Sequence, residues 1–377
     1  MPDGPKVVNV RAQARVNLSA VERNCSRLAR ELDRRTRLCA VVKADAYGHG
    51  AVPCARAALA GGATYLAVAS AAEAASLRAA AVEARLLVMG ALTPHELEIA
   101  IAADADVVAW CEEFVAATRA LGRGRVHVKL DTGMGRAGTR DPAVATRIAR
   151  VVHAAPELEL AGAMTHFATA DDRGDPFFGE QLSRFRDWSR GLIDEYPQIV
   201  VHAANSAATL RDHAAHFDMV RCGIAAYGMD PFGESPAARD LEPALELHSY
   251  LAAIKPCQAG ESAGYGRRFI AAAATMLGTL PIGYGDGYRR AHTNNADVLV
   301  GGRRYPLVGT VSMDNITVDL GPTTHLAQGK RAVLIGRDDE DQITTEELAR
   351  RLDTINYEIT CALTNRIPRI YHHDGHS

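Results

Sequence analysis

The chain has 377 residues, which at roughly 150 residues per domain corresponds to two or three domains. It carries 42 Lys and Arg against 45 Asp and Glu, and this net charge of −3 provides no overall attraction to nucleic acid or to an anionic membrane. The hydrophobic fraction of 47% and the charged fraction of 23% are typical of globular domains and exclude disorder over most of the chain.

The cysteines and the N-terminal residues indicate a cytoplasmic protein. The seven cysteines are odd in number, scattered and without a CxxC pair, which argues against a disulfide framework or a structural zinc site. The first residues, MPDGPKVVNVRAQARV, contain no apolar segment of the kind found in a signal peptide. No uninterrupted apolar stretch is long enough to span a bilayer.

The first two-thirds of the chain alternates between short β-branched runs and longer Ala-rich segments. This alternation predicts a parallel sheet with helical crossovers. Eight such units over about 200 residues or more favour a closed (β/α)8 TIM-type barrel, an α/β fold, over an open doubly wound sheet. The predicted strands are 38–43, 64–69, 85–89, 106–110, 126–131, 160–166, 199–205 and 217–223.

Two of the segments between these strands carry clear helix signals. Ser70 and Glu73 have the spacing of a capping box, which predicts a helix from about residue 71. Segment 179–192 has Leu182, Phe185 and Trp188 on one face and charged residues on the other. Both patterns support the alternation of strand and helix.

From about residue 245 the pattern changes to strand-like runs broken by Gly and Pro. This predicts a separate, mainly β domain, in which only 344–353 has a helical pattern, with Thr344 and Glu347 as its capping box. We expect the barrel over 12–235 and the mainly β domain over 240–377. The Pro- and Gly-rich stretch 231–240 is the predicted connection, and 1–11 is a candidate extra strand of the second domain.

Polar residues follow five of the eight predicted barrel strands. In a barrel of this kind, catalytic residues lie at the C-terminal ends of the strands. Each of these residues alone is more often an ordinary loop residue, but five strand ends together predict a site. The polar residues at these ends are Lys43, Lys129 with Arg136, His166, Asn205 with Ser206, and Arg221.

The residues at two of these ends suggest a particular cofactor. A lone lysine such as Lys43 is by default structural, but an amine at the end of a buried strand also fits an imine-forming lysine. Ser206, Gly223 and Ile224 follow the last two strands, where this fold often holds a phosphate, and no Walker pattern points to a nucleotide. An imine-forming lysine beside a compact phosphate site fits pyridoxal phosphate, and Arg221 would meet its ring nitrogen.

The same residues lie in long motifs that occur in a fixed order. The motifs are AVVKADAYGHGA (40–51), VHVKLDTGMGRAG (126–138), THFATAD (165–171), HAANSAATL (202–210), FDMVRCGIAAYG (217–228), VGTVSMDN (308–315) and INYEI (355–359). The sequence resembles the alanine racemase family of fold III pyridoxal-phosphate enzymes, from about residue 14 to 371. The resemblance implies an amino-acid racemase with pyridoxal 5′-phosphate as its cofactor and no metal.

The resemblance implies a role for each matching residue. Lys43 would form the internal aldimine, Arg221 would hydrogen-bond the pyridine nitrogen, and His166 would support Arg221. Because arginine only donates hydrogen bonds, the ring nitrogen would stay unprotonated, which disfavours side reactions such as transamination. The residues assigned to the cofactor in this way are Lys43, Tyr47, His166, Asn205, Ser206, Arg221, Gly223, Ile224 and Tyr357.

Racemisation needs one acid/base group on each face of the substrate. The resemblance assigns one face to Lys43 and the other to Tyr265, which would come from the second subunit of a homodimer. It assigns substrate contacts to Arg136, Met313 and Asp314. A tyrosine hydroxyl with its usual pKa of about 10 is a weak base at neutral pH, so neighbouring charge must tune it.

Lys129 matches a lysine that is carbamylated in some members of the family. There, the carbamate holds the arginine that matches Arg136. An ordinary ammonium group is the alternative, and both states stay open at the level of sequence.

Four other functions compete with alanine racemisation. A related racemase acting on serine or another small or cationic amino acid would use the same chemistry. A non-catalytic pyridoxal-phosphate-binding protein is disfavoured by the β domain, Tyr265 and Tyr357. A fold III decarboxylase is disfavoured by Arg221 and the lack of an EPGR-like motif. A metal-dependent barrel hydrolase is disfavoured because His166 and His202 lack an HxH or HExxH pattern.

Overall fold

A computed structural model describes residues 10–375, so most of the candidate strand 1–11 lies outside the described residues. The chain forms two compact units. The first comprises Val21–Phe232 and Asp240–Glu242, whereas the expected barrel domain began at residue 12. The second comprises the chain up to Ala20, Gly233–Arg239 and the chain from Pro243 onward. No helix in residues 10–375 is long and apolar enough to cross a membrane.

The first unit is the predicted barrel. Among the described residues, eight parallel strands close on themselves, and the first and last pair with Arg37 beside Met219 and Ala40 beside Cys222. The strands end one to three residues earlier than predicted, so Lys43 and His166 lie just beyond their strands rather than within them. The strands are Arg37–Val41, Tyr65–Val68, Arg85–Val88, Ala105–Ala109, Gly124–Lys129, Leu158–Met164, Val200–His202 and Met219–Cys222.

Helices follow the barrel strands and bury their apolar faces. The predicted capping box forms, because the Ser70 hydroxyl accepts the Glu73 N–H and the Glu73 carboxylate accepts the Ser70 N–H. The longest helix of the unit, Phe177–Glu195, buries Phe185 and Trp188 as its pattern predicted. The others are Leu18–Arg30, Lys43–Tyr47, Ala51–Ala60, Ala71–Ala79, Pro94–Ala102, Glu112–Ala120, Pro142–Ala154 and Ser206–Arg211, with 3₁₀ turns at His213–Ala215 and Ile224–Tyr227.

The second unit is mainly β, as predicted. Strand Gln13–Asn17 lies in its main sheet, antiparallel to Leu245–Tyr250 and parallel to Arg369–His372. The sheet continues from Leu245–Tyr250 through Arg331–Asp338, which also pairs with Asp341–Ile343, to Asp297–Val300 and Arg303–Pro306. Two smaller antiparallel sheets comprise Ala253–Cys257, Thr275–Leu280 and Ile316–Asp319, and Ser262–Ala263 with Phe269–Ile270.

The helices of the second unit correct one prediction. Helix Thr345–Arg351 begins after Thr344, whose hydroxyl accepts the Glu347 N–H at 3.1 Å, as predicted. A second helix, Asn356–Cys361, shows that 344–353 is not the only helix of this region. It has only six residues and no side-chain cap, so the sequence carries little signal for it. Short 3₁₀ turns occur at Pro236–Arg239, Tyr265–Arg267, Tyr284–Asp286 and Arg290–His292.

Phe185 anchors the longest helix to the barrel unit. Its ring is fully buried, with its centroid 5.7 Å from that of Trp188 and 5.2 Å from that of Phe217. We expect Phe185→Ala to lower the free energy of unfolding by about 3–5 kcal/mol, because the change leaves a cavity. Urea unfolding followed by circular dichroism measures the loss. Ile193→Ala on the same helix is the control and should cost about 0.5 kcal/mol, because Ile193 is 40% exposed; equal losses would contradict this account.

Candidate active site

Lys43 opens a left-handed turn directly after the first barrel strand. The four residues that follow it, 44–47, have φ angles between 51° and 55°. Residues other than glycine seldom adopt this conformation, which costs roughly 1–2 kcal/mol per residue, so the surrounding contacts must hold the turn. The strand end is fixed as well, because the Tyr227 hydroxyl donates to the Val41 carbonyl oxygen at 2.7 Å.

Side chains hold this left-handed turn from several directions. The buried His49 donates from Nδ1 to the carbonyl oxygens of Ala46 and Tyr47, at 3.0 and 3.1 Å. The Asp45 carboxylate accepts the Ala51 N–H at 2.7 Å, and so ties the turn to the following helix. On the other side, a Glu73 oxygen accepts the Ala44 N–H at 2.6 Å. The backbone that carries Lys43 is therefore held by hydrogen bonds from both sides.

The five basic residues predicted from the strand ends lie close enough for their charges to influence one another. Burial lowers the pKa of Lys129 to about 8, and Arg221, Arg136 and Lys43 add to the shift, with Asp131 opposing it. The pKa of His166 lies well below its usual value because His166 is buried and faces the same cations. The barrel rim thus concentrates positive charge at one place. Such a cluster favours an anionic ligand.

Arg221 is buried in the barrel, and its guanidinium is surrounded by acceptors. Nη2 donates to the carbonyl oxygens of Thr165 and Ala203, both at 2.8 Å, and to Nδ1 of His166 at 3.3 Å. Nη1 donates to Nδ1 of His202 at 2.7 Å. Burial lowers the pKa of Arg221 to about 10, so the group stays charged at neutral pH. Among the described residues, the Nε hydrogen and the second Nη1 hydrogen have no partner and remain available to a ligand.

A hydrogen-bonded relay continues from Arg221 through the barrel. Because arginine only donates, His202 accepts at Nδ1 and donates from Nε2 to Nδ1 of His127, at 2.9 Å. His127 then donates from Nε2 to Asp106, at 3.1 Å, and this carboxylate also accepts hydrogen bonds from Arg85 and Arg125. The sequence motifs and the family resemblance imply no role for these residues. Their signal is that Asp106 and His127 are polar positions inside otherwise apolar strands.

The residues predicted to bind phosphate also converge. The Ser206 hydroxyl oxygen accepts the N–H groups of Gly223 and Ala225, at 3.0 and 3.3 Å, which leaves its own hydrogen to donate. A side chain at Gly223 would begin 2.3 Å from the Tyr47 hydroxyl, so any larger residue here would displace the Tyr47 ring. Ile224 is buried at the start of the next turn. Asn205 caps a helix, its side-chain oxygen accepting the Ala208 N–H at 2.9 Å.

This set of residues fits pyridoxal phosphate. Tyr47 and Ser206 provide hydroxyl groups beside the glycine backbone, as a phosphate requires, and the cationic cluster matches its negative charge. A lysine amine and a buried arginine with free donors lie at the same rim, for the aldehyde and the ring nitrogen. No cluster of His, Cys, Asp and Glu that could hold a metal ion occurs within residues 10–375.

Four predicted site residues lie in the second unit. Tyr265 is 73% exposed and starts the turn Tyr265–Arg267. Its backbone carbonyl oxygen accepts a hydrogen bond from the Thr310 hydroxyl at 2.6 Å. Met313 is 52% exposed, and its neighbour Asp314 pairs with Arg366. The Thr310 contact joins the turn of Tyr265 to the loop of Met313. Tyr357 lies in the short helix Asn356–Cys361.

Comparison with known proteins agrees with the motifs over the whole chain. The family model described as alanine racemase, N-terminal domain matches residues 16–231, and that described as alanine racemase, C-terminal domain matches 244–371. An alanine racemase from Halalkalibacterium halodurans is 41% identical, with 96% of this chain and 95% of that protein aligned. One from Frankia casuarinae is 43% identical over 96% of this chain and 97% of its own length.

Solved structures of the same family superpose closely. Alanine racemase from E. faecalis matches with a TM-score of 0.91 at 36% identity, covering 97% of this chain and 99% of that chain. The Bacillus anthracis alanine racemase with bound L-Ala-P matches with a TM-score of 0.89 at 36% identity, covering 99% and 97%. The resemblance predicted from the motifs is confirmed, and the chain belongs to the alanine racemase family.

Proposed function

We propose that this protein is a pyridoxal-phosphate-dependent isomerase that interconverts L- and D-alanine. Full-length similarity to proteins named alanine racemase supports the substrate and the reaction. The observation that carries the proposal is the cluster of Lys43, Lys129, Arg136, His166 and Arg221 at one barrel rim. The positive charges of Lys43, Arg136 and Arg221 in this cluster suit a ligand with a phosphate and a substrate with a carboxylate.

The cofactor has matching partners on this chain. Bound pyridoxal phosphate supplies a carbonyl for amines and a ring that withdraws electrons from the substrate α-carbon. Lys43 would attach it, and Arg221 would donate to its ring nitrogen while His166 steadies the guanidinium. The residues proposed for the phosphate and its surroundings are Tyr47, Asn205, Ser206, Gly223, Ile224 and Tyr357.

Arg221 would confine the chemistry to proton transfer at the α-carbon. The guanidinium donates a hydrogen bond to the ring nitrogen but stays protonated at neutral pH, so it does not transfer a proton to that nitrogen. An unprotonated ring stabilises the negative charge at the substrate α-carbon less strongly, which disfavours side reactions such as transamination. The relay through His202 and His127 fixes the guanidinium and opposes its rotation.

Two groups would move the proton across the substrate. Lys43, released from the cofactor when substrate arrives, serves one face, and Tyr265 serves the other. Arg136 would bind the carboxylate side of the substrate, with Met313 and Asp314 nearby. Asp314 is paired with Arg366, which supports a fixed loop at that position.

We place Tyr265, Met313 and Asp314 in the site of a second subunit, so that the working enzyme is a homodimer. The support is their exposure together with family membership. Tyr265 and Met313 are the kind of large side chains that a single chain usually covers, yet they are 73% and 52% exposed. Ile270 and Ile355 of the same unit are also exposed and would add apolar area to an interface.

The thiols support a cytoplasmic location. All seven cysteines lie within the described residues, and none of them forms a disulfide there. Five of them are buried, and burial raises the pKa of Cys25, Cys39 and Cys54 well above the usual value for a thiol. Cysteines that form no disulfide suit a reducing compartment.

The first experiment is a racemisation assay of the purified protein with pyridoxal phosphate and alanine, serine, arginine or lysine. We expect the highest kcat/KM with alanine, in both directions. Lys43→Ala should abolish both the activity and borohydride-reducible attachment of the cofactor, because the change removes the amine proposed to form the imine. Faster turnover of serine would favour the related racemase, and binding without turnover would contradict the proposal.

Removing the Tyr265 hydroxyl should separate the two proton transfers. We expect Tyr265→Phe to keep the bound cofactor and lower racemisation by about 10²–10⁴-fold, the usual contribution of an acid/base group. In D2O, Lys43 should still exchange the α-hydrogen of one enantiomer without inverting it. Chiral chromatography with mass detection measures both effects. Racemisation at the wild-type rate would overturn the role of Tyr265.

Mixing two inactive variants tests whether Tyr265 acts across subunits. A dimer of one Lys43→Ala chain and one Tyr265→Phe chain has one site with both residues intact and one with neither. Random exchange of subunits should therefore restore about a quarter of the wild-type activity. Each variant incubated alone is the control. Full inactivity of the exchanged mixture, with mixed dimers verified by mass spectrometry, would place Tyr265 in its own chain's site.

We further propose that Lys129 is carbamylated. An ammonium group there would be buried among Arg221, Arg136 and Lys43, and the pKa of about 8 leaves a fraction of neutral amine at neutral pH. The ammonium group first loses a proton to give the neutral amine. The neutral amine then adds CO2 and releases a second proton, so a positive charge is replaced by a negative one. The carbamate could then pair with Arg136, whereas the ammonium group repels it.

The Lys129 carbamate should be visible by NMR. After equilibration with ¹³C-bicarbonate we expect a carbamate carbonyl signal that disappears in Lys129→Ala and persists in Lys255→Ala. The signal should weaken as the pH falls below about 8, because protonation removes the reactive amine. Activity in CO2-free buffer should fall and return with bicarbonate. No signal and no effect of CO2 would establish the plain ammonium group.

A further inference from the structure

One carboxylate, that of Glu73, joins the backbone after two neighbouring barrel strands. Glu73 belongs to helix Ala71–Ala79, and its Oε2 accepts the N–H groups of Ala69 and Ser70, at 2.8 and 3.1 Å. Its Oε1 accepts the Ala44 N–H at 2.6 Å. The first two bonds fix the end of the second strand, and the third reaches the turn after the first strand.

A helix cap does not explain the contact with Ala44. The next helix, Pro94–Ala102, has the same capping box, made by Thr93 and Glu96. Within the described residues, the Glu96 carboxylate accepts hydrogen bonds from the Thr93 N–H and hydroxyl, both at 2.9 Å. Glu96 therefore performs the capping task within its own helix. Glu73 performs that task with one oxygen and holds Ala44 with the other.

The position of Ala44 makes this contact important for Lys43. The Ala44 N–H belongs to the peptide plane that begins at the carbonyl carbon of Lys43. Fixing that plane fixes the ψ angle of Lys43 and the φ angle of Ala44, which is 51°. Ala44 is also the first of the four left-handed residues, so the hydrogen bond stabilises the turn where it departs from ordinary geometry.

We propose that Glu73 is a positioning residue for Lys43. Its carboxylate holds the left-handed turn in place and so directs the Lys43 side chain from a fixed backbone. A reactive amine needs such support, because small displacements of a catalytic group lower the rate strongly. This inference rests on the proposed role of Lys43 as the residue that attaches the cofactor.

The test compares Glu73→Ala and Glu73→Gln with the matched cap variants Glu96→Ala and Glu96→Gln. Hydrogen exchange of the cofactor-free protein, measured by mass spectrometry, reports on the peptide 43–49 directly. We expect Glu73→Ala to speed exchange of this peptide by about tenfold or more, because its opening becomes easier. Glu73→Gln keeps one accepting oxygen and should fall between wild type and Glu73→Ala. The Glu96 variants should leave the peptide unchanged.

Addition of pyridoxal 5′-phosphate to the same proteins tests the consequence for Lys43. We expect the rate of attachment, followed by visible absorbance, and kcat to fall by about tenfold or more in Glu73→Ala, with a smaller change in KM. Glu96→Ala should lower the melting temperature similarly but leave both rates at wild-type values. Equal behaviour of Glu73→Ala and Glu96→Ala would reduce Glu73 to a helix cap. A different outcome would count against the role of Lys43: hydrogen exchange is faster in Glu73→Ala, but the wild-type protein does not attach the cofactor.

Discussion

A charged guanidinium inside a barrel is the constraint on which this site depends. Arg221 is buried, so it must find acceptors within the protein, and it finds them at the ends of the neighbouring strands Leu158–Met164 and Val200–His202. The chain of donors through His202 and His127 ends at Asp106. Burial raises the pKa of Asp106, but the hydrogen bonds from His127 and Arg125 and the charge of Arg85 outweigh burial, so the pKa is lowered overall. Each imidazole must be neutral and in one tautomer for this chain to hold. The barrel interior thereby fixes the orientation of Arg221 at its rim.

The two reactive ends of the site are supported in different ways. Arg221 lies on a strand, and its position follows from the sheet itself. Lys43 lies past its strand, on a turn that no regular element determines, and so depends on individual side chains such as His49 and Glu73. The same rim thus holds Arg221, which is placed by the sheet, and Lys43, which is placed by local hydrogen bonds.

Much of this architecture is present in the sequence, for physical reasons. Parallel barrel strands are buried on both faces, so they form continuous apolar runs, and polar residues such as Lys43 and His166 stand out where the runs stop. The partners of Arg221 were not predictable in the same way, because the pairing of His127 with His202 depends on the register of neighbouring strands. The contact of Glu73 with Ala44 depends on a left-handed turn whose first four residues include no glycine. No residue type in this segment therefore predicts the turn.

Strand Gln13–Asn17 has a consequence for how the protein is made. The ribosome releases this strand long before its neighbours Leu245–Tyr250 and Arg369–His372. The barrel can close while the strand still has unpaired N–H and carbonyl groups along both edges, a state open to wrong pairing with other chains. Contacts this distant in sequence form slowly. This strand is thus synthesised long before it can be incorporated into its sheet, and its second edge stays unpaired until Arg369–His372 has been made.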